Sequence, residues 1–322
     1  MENIATKKNI VCLGGGIGTS NLLRGLKKHP FHLTIITSMA DDGGSSGRLR
    51  KAYGIMPPGD IISCIAALIP DEQKELADLL TYRLSGSDKG NTTIGGQKFG
   101  NLLMLAEIER TGDFYKAIEV TKKMFGVDAD FFPATDERTH LSATTTDGRL
   151  VHGETALDLA MYSEPHGLKE IYITPKEPQV NQKVISAINN ADVIISGPGD
   201  LYTNQLPVLV VPQIKEALLT SKAKKIFILN VANKPHETQG FTLHDFINAF
   251  DEHLGTFPFD TVIVNSNQEN PIPKQYPYEY IVIDEVYKKQ PPFTLIEDDL
   301  VNATFPIYHD PQKLASVVIK QL

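Results

Sequence analysis

The residues best placed to do chemistry lie in two glycine-rich segments, Gly14-Gly15-Gly16-Ile17-Gly18-Thr19-Ser20 and Asp41-Asp42-Gly43-Gly44-Ser45-Ser46-Gly47-Arg48. The first follows a short apolar run, Asn9 to Leu13, and opens a helical pattern from Ser20 to His29. A strand that ends in a glycine turn at a helix N-terminus offers unpaired backbone N–H groups and the positive end of the helix dipole. Such a place attracts an anion, most often a phosphate. The second segment follows the next predicted strand, Leu33 to Thr37, and joins two carboxylates to a Gly/Ser nest. Two such loops at the carboxyl ends of adjacent parallel strands would flank one crevice, and a nucleotide is its natural occupant.

The glycine turn departs from the dinucleotide fingerprint. Gly14 and Gly16 fit G-x-G-x-x-G, but Thr19 stands at the third glycine. Gly14, Gly15 and Gly16 would let the backbone approach a diphosphate, with the Thr19 hydroxyl as a further donor. Asp41 and Asp42 carry three readings: acceptors for ribose hydroxyls about 20 residues after the glycines, holders of Mg²⁺ beside phosphates, or caps of the following turn. Ser45 and Ser46 belong to the same nest, and Arg48 could meet a phosphate or stand in solvent. A third loop, Gly197-Pro198-Gly199-Asp200-Leu201-Tyr202-Thr203, ends another apolar strand; Gly197, Gly199, Asp200 and Tyr202 are its candidate ligand contacts. Asn230 and Asn265 end the next two strands and either read a base or cap a turn. Gly100-Asn101 lies in a helical stretch, where glycine costs roughly 1 kcal/mol and so suggests a close approach. The histidines form no H-E-x-x-H or ligand cluster, and G-x-S-x-G is absent, so neither zinc nor a serine-hydrolase elbow is expected.

The elements that must position these loops alternate strand and helix at both ends of the chain. Near-continuous apolar strands (Asp192 to Ser196, Lys225 to Asn230, Thr261 to Asn265) imply a parallel sheet covered on both faces. Helical patterns run over Cys64 to Leu68, Asp71 to Leu80, Lys98 to Arg110, Phe114 to Phe125, Pro212 to Leu219 and Leu243 to Leu254. A loop is expected at Ser85 to Gly96, and a hairpin with an Asp147-Gly148 turn within His140 to Glu154. The predicted fold is α/β: a Rossmann-like doubly wound parallel sheet, residues 1–56 and 175–322, with an inserted helical and β-hairpin subdomain, 57–174, in the same compact unit. With 322 residues and a net charge of −8, nucleic acid is not an expected partner. No apolar run approaches the roughly 20 residues of a membrane span, and no signal-peptide pattern opens the chain, so a cytoplasmic protein without membrane insertion is expected. Cys12 and Cys64 suggest neither a disulfide scaffold nor a metal site.

Six strings together resemble the YvcK family of bacterial gluconeogenesis factors, within the larger group that includes 2-phospho-L-lactate transferase. They are the Leu13–Ser20 turn, Ala40 to Leu49, Pro57-Pro58-Gly59-Asp60-Ile61, Gly100 to Leu103, Gly197 to Thr203, and His309-Asp310-Pro311 with Lys313 to Ala315. The resemblance implies a Rossmann-like core and binding of UDP-sugars such as UDP-N-acetylglucosamine. It also implies a link to cell shape and to growth on gluconeogenic carbon sources, with no established reaction. The transferase branch moves a phospholactate group from a nucleotide diphosphate onto a deazaflavin alcohol with Mg²⁺, and uses an aspartate in the region of Asp41 and Asp42. This chain departs from the usual pattern at Ile62 and Ser63, at Gln97 and at Asn267, positions that bear on sugar or base specificity.

The sequence reading is therefore a binding protein for a nucleotide diphosphate sugar, requiring no cofactor, with self-association left open. Its alternatives are a Mg²⁺-dependent phosphotransferase in which Asp41 and Asp42 hold the metal, and an NAD-dependent oxidoreductase.

Overall fold

The computed structural model describes residues 7–86, 94–161 and 167–322; most of the loop expected at Ser85 to Gly96 lies outside them. Chain order begins β1 (Asn9–Leu13), α1 (Gly16–Leu26), β2 (His32–Thr37), α2 (Gly44–Tyr53), α3 (Gly59–Leu68), α4 (Lys74–Thr81), α5 (Phe99–Thr111), α6 (Phe114–Met124) and β3 (Asp130–Pro133). The hairpin β4 (His140–Thr145) and β5 (Leu150–His152) leads through α7 (Glu154–Asp158) to β6 (Leu168–Thr174). The chain continues with α8 (Gln182–Asn189), β7 (Val193–Ser196), α9 (Leu206–Leu209), α10 (Pro212–Thr220), β8 (Lys224–Ile228) and β9 (Ala232–Asn233). It closes with α11 (Leu243–Leu254), β10 (Thr261–Asn265), β11 (Glu279–Tyr280), α12 (Glu285–Lys289), β12 (Thr294–Asp298) and α13 (Pro311–Ile319).

Seven strands form one all-parallel sheet in the order β12-β10-β8-β7-β1-β2-β3. The chain moves outward from β1 to β3, then returns to the other side of β1 at β7 and moves outward again to β12. This is the doubly wound arrangement expected. Its reversal separates the loops leaving β1 and β7 and opens a crevice at their carboxyl ends. Two of the seven strands, β3 and β12, are not legible in the sequence. Both are edge strands with mixed exposure, so neither shows the continuous apolar run of a strand covered on both faces. The 57–174 stretch thus contributes β3 to the central sheet, besides its helices and the separate antiparallel sheet β5-β4-β6.

Alternate residues of each inner strand serve opposite faces, as the two-residue period of a strand requires. Ile10 and Cys12 of β1, Ile195 of β7 and Ile226 and Ile228 of β8 face one core with Leu22, Leu26, Ile65 and Leu314 from α1, α3 and α13. Val11, Leu13, Ile194 and Phe227 face the other core with Val184, Ile214, Phe246 and Phe250 from α8, α10 and α11, and with Leu141 and Ile171 of the antiparallel sheet. Cys12 is buried, and burial pushes its thiol up to about 12, so it acts as an apolar side chain. No helix of the described residues is long and apolar enough to cross a membrane.

Helix α1 ends the β1 loop and must lie close to its neighbours. A Cβ on Gly25 would fall 2.1 Å from the Pro311 carbonyl and 2.4 Å from Ala315 Cβ on α13. Backbone cannot yield as a flexible side chain can, so overpacking should outweigh the roughly 1 kcal/mol that alanine gains in helix propensity. Gly25→Ala is therefore expected to lose about 1–3 kcal/mol of stability in urea denaturation; an unchanged or raised midpoint would show that α1 and α13 can part freely.

Candidate functional site

Two adjoining cavities occupy the carboxyl edge of the sheet. The first, about 310 Å³, lies between the β1 turn (Gly15 to Gly18) and the β7 loop (Pro198 to Asn204), with Asn230, Lys234, Tyr278 and His309 on its other walls. The second, about 420 Å³, lies over α2 and is walled by Gly43 to Ser46, Ser63, Arg24, Arg83 and Lys98. Gly16, Ile17, Asp41, Asp60 and Glu154 line both, so the two form one trough with a ridge of three carboxylates at its middle.

Helix α1 begins at Gly16, within the glycine turn, and has no side-chain cap of its own. Its first donors are satisfied from elsewhere. Gly15 N–H donates to Asn204 Oδ1 at 2.8 Å, Asn204 Nδ2 donates to Asp60 Oδ2 at 3.3 Å, and Asp60 also accepts from the Gly16 N–H. A Cβ on Gly15 would stand 2.3 Å from Asp60 Oδ2, and one on Gly18 would stand 2.4 Å from the Pro198 carbonyl. These two glycines are needed for close approach: the first lets a carboxylate seat on the helix N-terminus, and the second lets α1 meet the β7 loop. In that loop too the amides are engaged. Gly199 N–H donates to Asn230 Oδ1 at 2.9 Å, and Tyr202 N–H and Thr203 N–H donate to Glu237 Oε1 at 2.7 and 3.2 Å. Of the backbone donors that the sequence offers to phosphate, those of Gly15, Gly16, Gly199, Tyr202 and Thr203 are thus used by side chains.

Charge in the trough is dominated by the ridge. Burial, then the neighbouring Asp60, push Asp41 up to about 6, against hydrogen bonds from the Gly43 N–H and the Ser46 hydroxyl. Burial raises Asp60, while Lys98 and the bonds from Gly16 and Asn204 oppose it. Burial with Asp41 and Asp158 nearby pushes Glu154 up to about 9, so it is neutral at pH 7. Lys234 is the strut beside them. Its Nζ meets Asp158, Asp200 at 2.7 Å and Glu237 at 3.1 Å, and these carboxylates overcome burial to hold it above its ordinary value. His309 at the cavity wall is buried and neutral; burial lowers it to about 4.

Several residues singled out from the sequence do meet here: Gly15, Gly16, Asp41, Gly199, Asp200 and Asn230 face the first cavity, and Ser45 and Ser46 the second. Asn101 stands behind them, donating through Nδ2 to Ser45 Oγ at 3.0 Å and Ser46 Oγ at 3.2 Å. Others are turned to structural work. Asp42 Oδ1 accepts from the Thr155 N–H at 2.8 Å and its hydroxyl at 2.7 Å, capping α7 rather than facing Asp41. Thr19 is buried and donates to the Pro198 carbonyl at 3.4 Å. Gly14 donates to the Ile36 carbonyl, and Gly197 takes a positive φ of 82° at the strand exit. Arg48 donates to the Gly95 carbonyl at 2.9 Å. Tyr202 packs edge-on against Phe241 and His253 inside the core. Asn265 accepts from the Leu300 N–H at 3.0 Å and donates to the Asn267 carbonyl at 2.6 Å, which closes the β10 turn.

Asp60, Glu154, Lys98, Lys234 and Asn204 also line the trough, and the sequence marks none of them as a ligand contact. Asp60 stands in the Pro-Gly-Asp string but reads as a helix cap, and Glu154 reads as the end of a hairpin. For Lys98, Lys234 and Asn204 no local pattern marks the position, since long-range packing alone brings them to the trough.

Comparison with known proteins follows the same frame. The family model for 2-phospho-L-lactate transferase CofD matches residues 10–301. The gluconeogenesis factor of Bacillus subtilis is 38% identical over 321 residues, covering 98% of this chain and 98% of that protein. The gluconeogenesis factor of Halalkalibacterium halodurans is 39% identical over 259 residues, covering 80% and 78%. A crystal structure of a UPF0052-family protein from Bacillus halodurans has a TM-score of 0.88 at 35% identity, covering 98% of this chain and 99% of the other.

The ridge has a measurable cost. Glu154 is protonated in the fold up to about pH 9 but would ionise near 4.5 when unfolded. A raised folded value means that its contribution is lost as pH rises through that window. Glu154→Gln, neutral in both states, is therefore expected to melt several degrees above the parent at pH 8, a gain on the order of 1–3 kcal/mol after discounting for solvent. The gain should vanish near pH 4.5. Equal melting at pH 8 would mean that Glu154 is ionised in the fold.

Proposed function

This chain belongs to the 2-phospho-L-lactate transferase CofD family, together with the gluconeogenesis factors, and from that premise we propose that it binds a nucleotide diphosphate sugar along the trough. The observation that carries this reading is the position of the trough at the β1/β7 switch point, where doubly wound sheets bind nucleotides. In this reading the nucleotide lies in the first cavity, its diphosphate passes the β1 turn, and the sugar extends over the ridge into the second. UDP-sugars are the class implied by the family, and the cellular role proposed is to couple their supply to cell shape and growth on gluconeogenic carbon.

The ridge bears on the metal. A diphosphate beside Asp41 and Asp60 meets like charge, and the Gly15, Gly16 and Gly199 amides are already engaged. Among the described residues no three His, Cys, Asp or Glu side chains form a ready-made metal site. Mg²⁺ needs less than that: it commonly takes one or two carboxylates and completes its shell with phosphate oxygens and water. Asp41 and Asp60 fit that part, because both are oxygen donors on the same trough and Asp60 already raises Asp41. When bound, Mg²⁺ would screen the diphosphate charge. Asp42, held by Thr155, would take no share.

The same ridge favours the transferase as second reading, since a cation between carboxylates and diphosphate also stabilises a leaving nucleotide. Calorimetric titration with UDP-N-acetylglucosamine and with NAD decides between these classes. The UDP-sugar is expected to bind at least about tenfold tighter than NAD, and to lose about tenfold on chelation of Mg²⁺ or in Asp60→Asn. The bound nucleotide should stay intact over hours. Preference for NAD would overturn the reading, and Mg²⁺-dependent nucleotide release in the presence of a deazaflavin alcohol, abolished in Asp41→Asn, would select the transferase.

A further inference from the structure

The second cavity differs from the first in the charge of its far wall. Arg24 on α1, Arg83 after α4 and Lys98 before α5 all line it. Their hydrogen bonds to described residues go to neutral oxygens. Arg24 Nη1 donates to Asn21 Oδ1 at 2.7 Å, Arg83 Nη1 to Ser45 Oγ at 3.4 Å and the Gly96 carbonyl at 3.2 Å, and Lys98 Nζ to Ser63 Oγ at 2.9 Å. None of the three is in an ion pair with another described residue. An isolated antiparallel bridge holds the backbones of Arg83 and Lys98 side by side. Asp41, Asp60, Glu154 and Asp158 also line the cavity, and Asp60 is the carboxylate that acts most on Lys98; Arg83, beside Lys98, has no ion-pair partner among the described residues, which favours an anion from outside there.

Ser45 adds a directed donor. Its Oγ accepts from Asn101 Nδ2 at 3.0 Å and from Arg83, which occupies both lone pairs and leaves the hydroxyl proton for a third group. Ser45 lies in the first turn of α2, whose N-cap amide at Gly43 donates to Asp41 Oδ1 at 2.9 Å. The cavity therefore presents two guanidinium groups, an ammonium and a hydroxyl donor, across the trough from the carboxylate ridge.

We propose that this second cavity is an anion subsite, and that the sugar of the bound nucleotide carries a carboxylate that lies against Arg83 and Lys98. The inference rests on the nucleotide-sugar reading of the trough and narrows its ligand to an acidic sugar. One ligand can span both cavities because they share the ridge. The hydroxyls of a sugar lying there donate to Asp41, Asp60 and the carbonyl oxygen of Glu154, while a substituent at the far end of the ring reaches the cations. A planar carboxylate suits a guanidinium fork, and a neutral hydroxymethyl group at the same position leaves Arg83 without a charged partner among the described residues.

The test is calorimetric titration of the full chain, with Mg²⁺ present, using UDP-glucuronate and UDP-glucose, which differ in the carboxylate alone. The wild-type protein is expected to bind UDP-glucuronate about tenfold or more tightly than UDP-glucose. That ratio should fall toward one in Arg83→Met and in Lys98→Met, each checked for unchanged thermal melting. Equal wild-type affinities for the two ligands overturn the acidic-sugar inference while leaving the nucleotide-sugar reading in place. Binding of neither ligand overturns that reading itself. A third titration adds free glucuronate to protein saturated with UDP-glucose: saturable binding there would assign the subsite to a separate anion and overturn the single-ligand form.

Discussion

A carboxylate stands where the dipole of α1 would otherwise hold a phosphate, and the rest of the site is arranged around it. Asp60 accepts from the Gly16 N–H and from Asn204, so one side chain joins the β1 turn, the β7 loop and the first turn of α3. The contact requires glycine at position 15, where a Cβ would fall on the carboxylate. An anion at a helix N-terminus gains about 0.3–1 kcal/mol, up to about 2 kcal/mol when partly buried. Enclosure of a charge costs several kcal/mol, and the raised pKa of Asp60 shows that the cost prevails. Such a group is poorly explained as a stabiliser. In the proposed reading it is one half of an interaction that a cation and its phosphate ligand would complete.

Around this centre the frame is tied by charged side chains whose bonds run between elements of the fold. Arg50, nearly fully buried, donates to the carbonyls of Met39, Asp41 and Thr139, which pins the end of β2, helix α2 and the antiparallel sheet together. Asp42 fastens the same loop to α7, and Lys234 joins α7 to the β7 loop through Asp158 and Asp200. Each tie crosses between the parallel core and the 57–174 stretch. The trough is therefore walled by both, and its three ridge carboxylates come from the β2 loop, α3 and α7. Close like charges of this kind stay in place only on a rigid support.

The architecture was readable in the sequence because the inner strands carry their own signal. Ile10 to Leu13 and Val193 to Ser196 are buried on both faces and show it as unbroken apolar runs, and the glycines after them mark the loops at the switch point. The edge strands β3 and β12 escaped, since one face of each meets solvent. At the site, the glycines mark the loops that approach each other, but not what each glycine makes room for. Gly15 and Gly18 make room for Asp60 and Pro198, and Asp42 and Tyr202 sit among candidate residues in sequence yet turn away in space. Adjacency along the chain says which loop a residue is on. The direction of its side chain depends on partners more than a hundred residues away, as with Asp42 and Thr155.

The proposed arrangement is a nucleotide diphosphate held at the β1/β7 switch point through a cation shared with Asp41 and Asp60. It is tested most directly by a crystal structure of the protein grown with UDP-N-acetylglucosamine and Mn²⁺, whose anomalous scattering marks the metal. An anomalous peak is expected between the Asp41 and Asp60 carboxylates, with diphosphate density beside it over the Gly16 to Gly18 turn. Diphosphate density elsewhere on the protein, or at this turn with no metal beside the two aspartates, would contradict it.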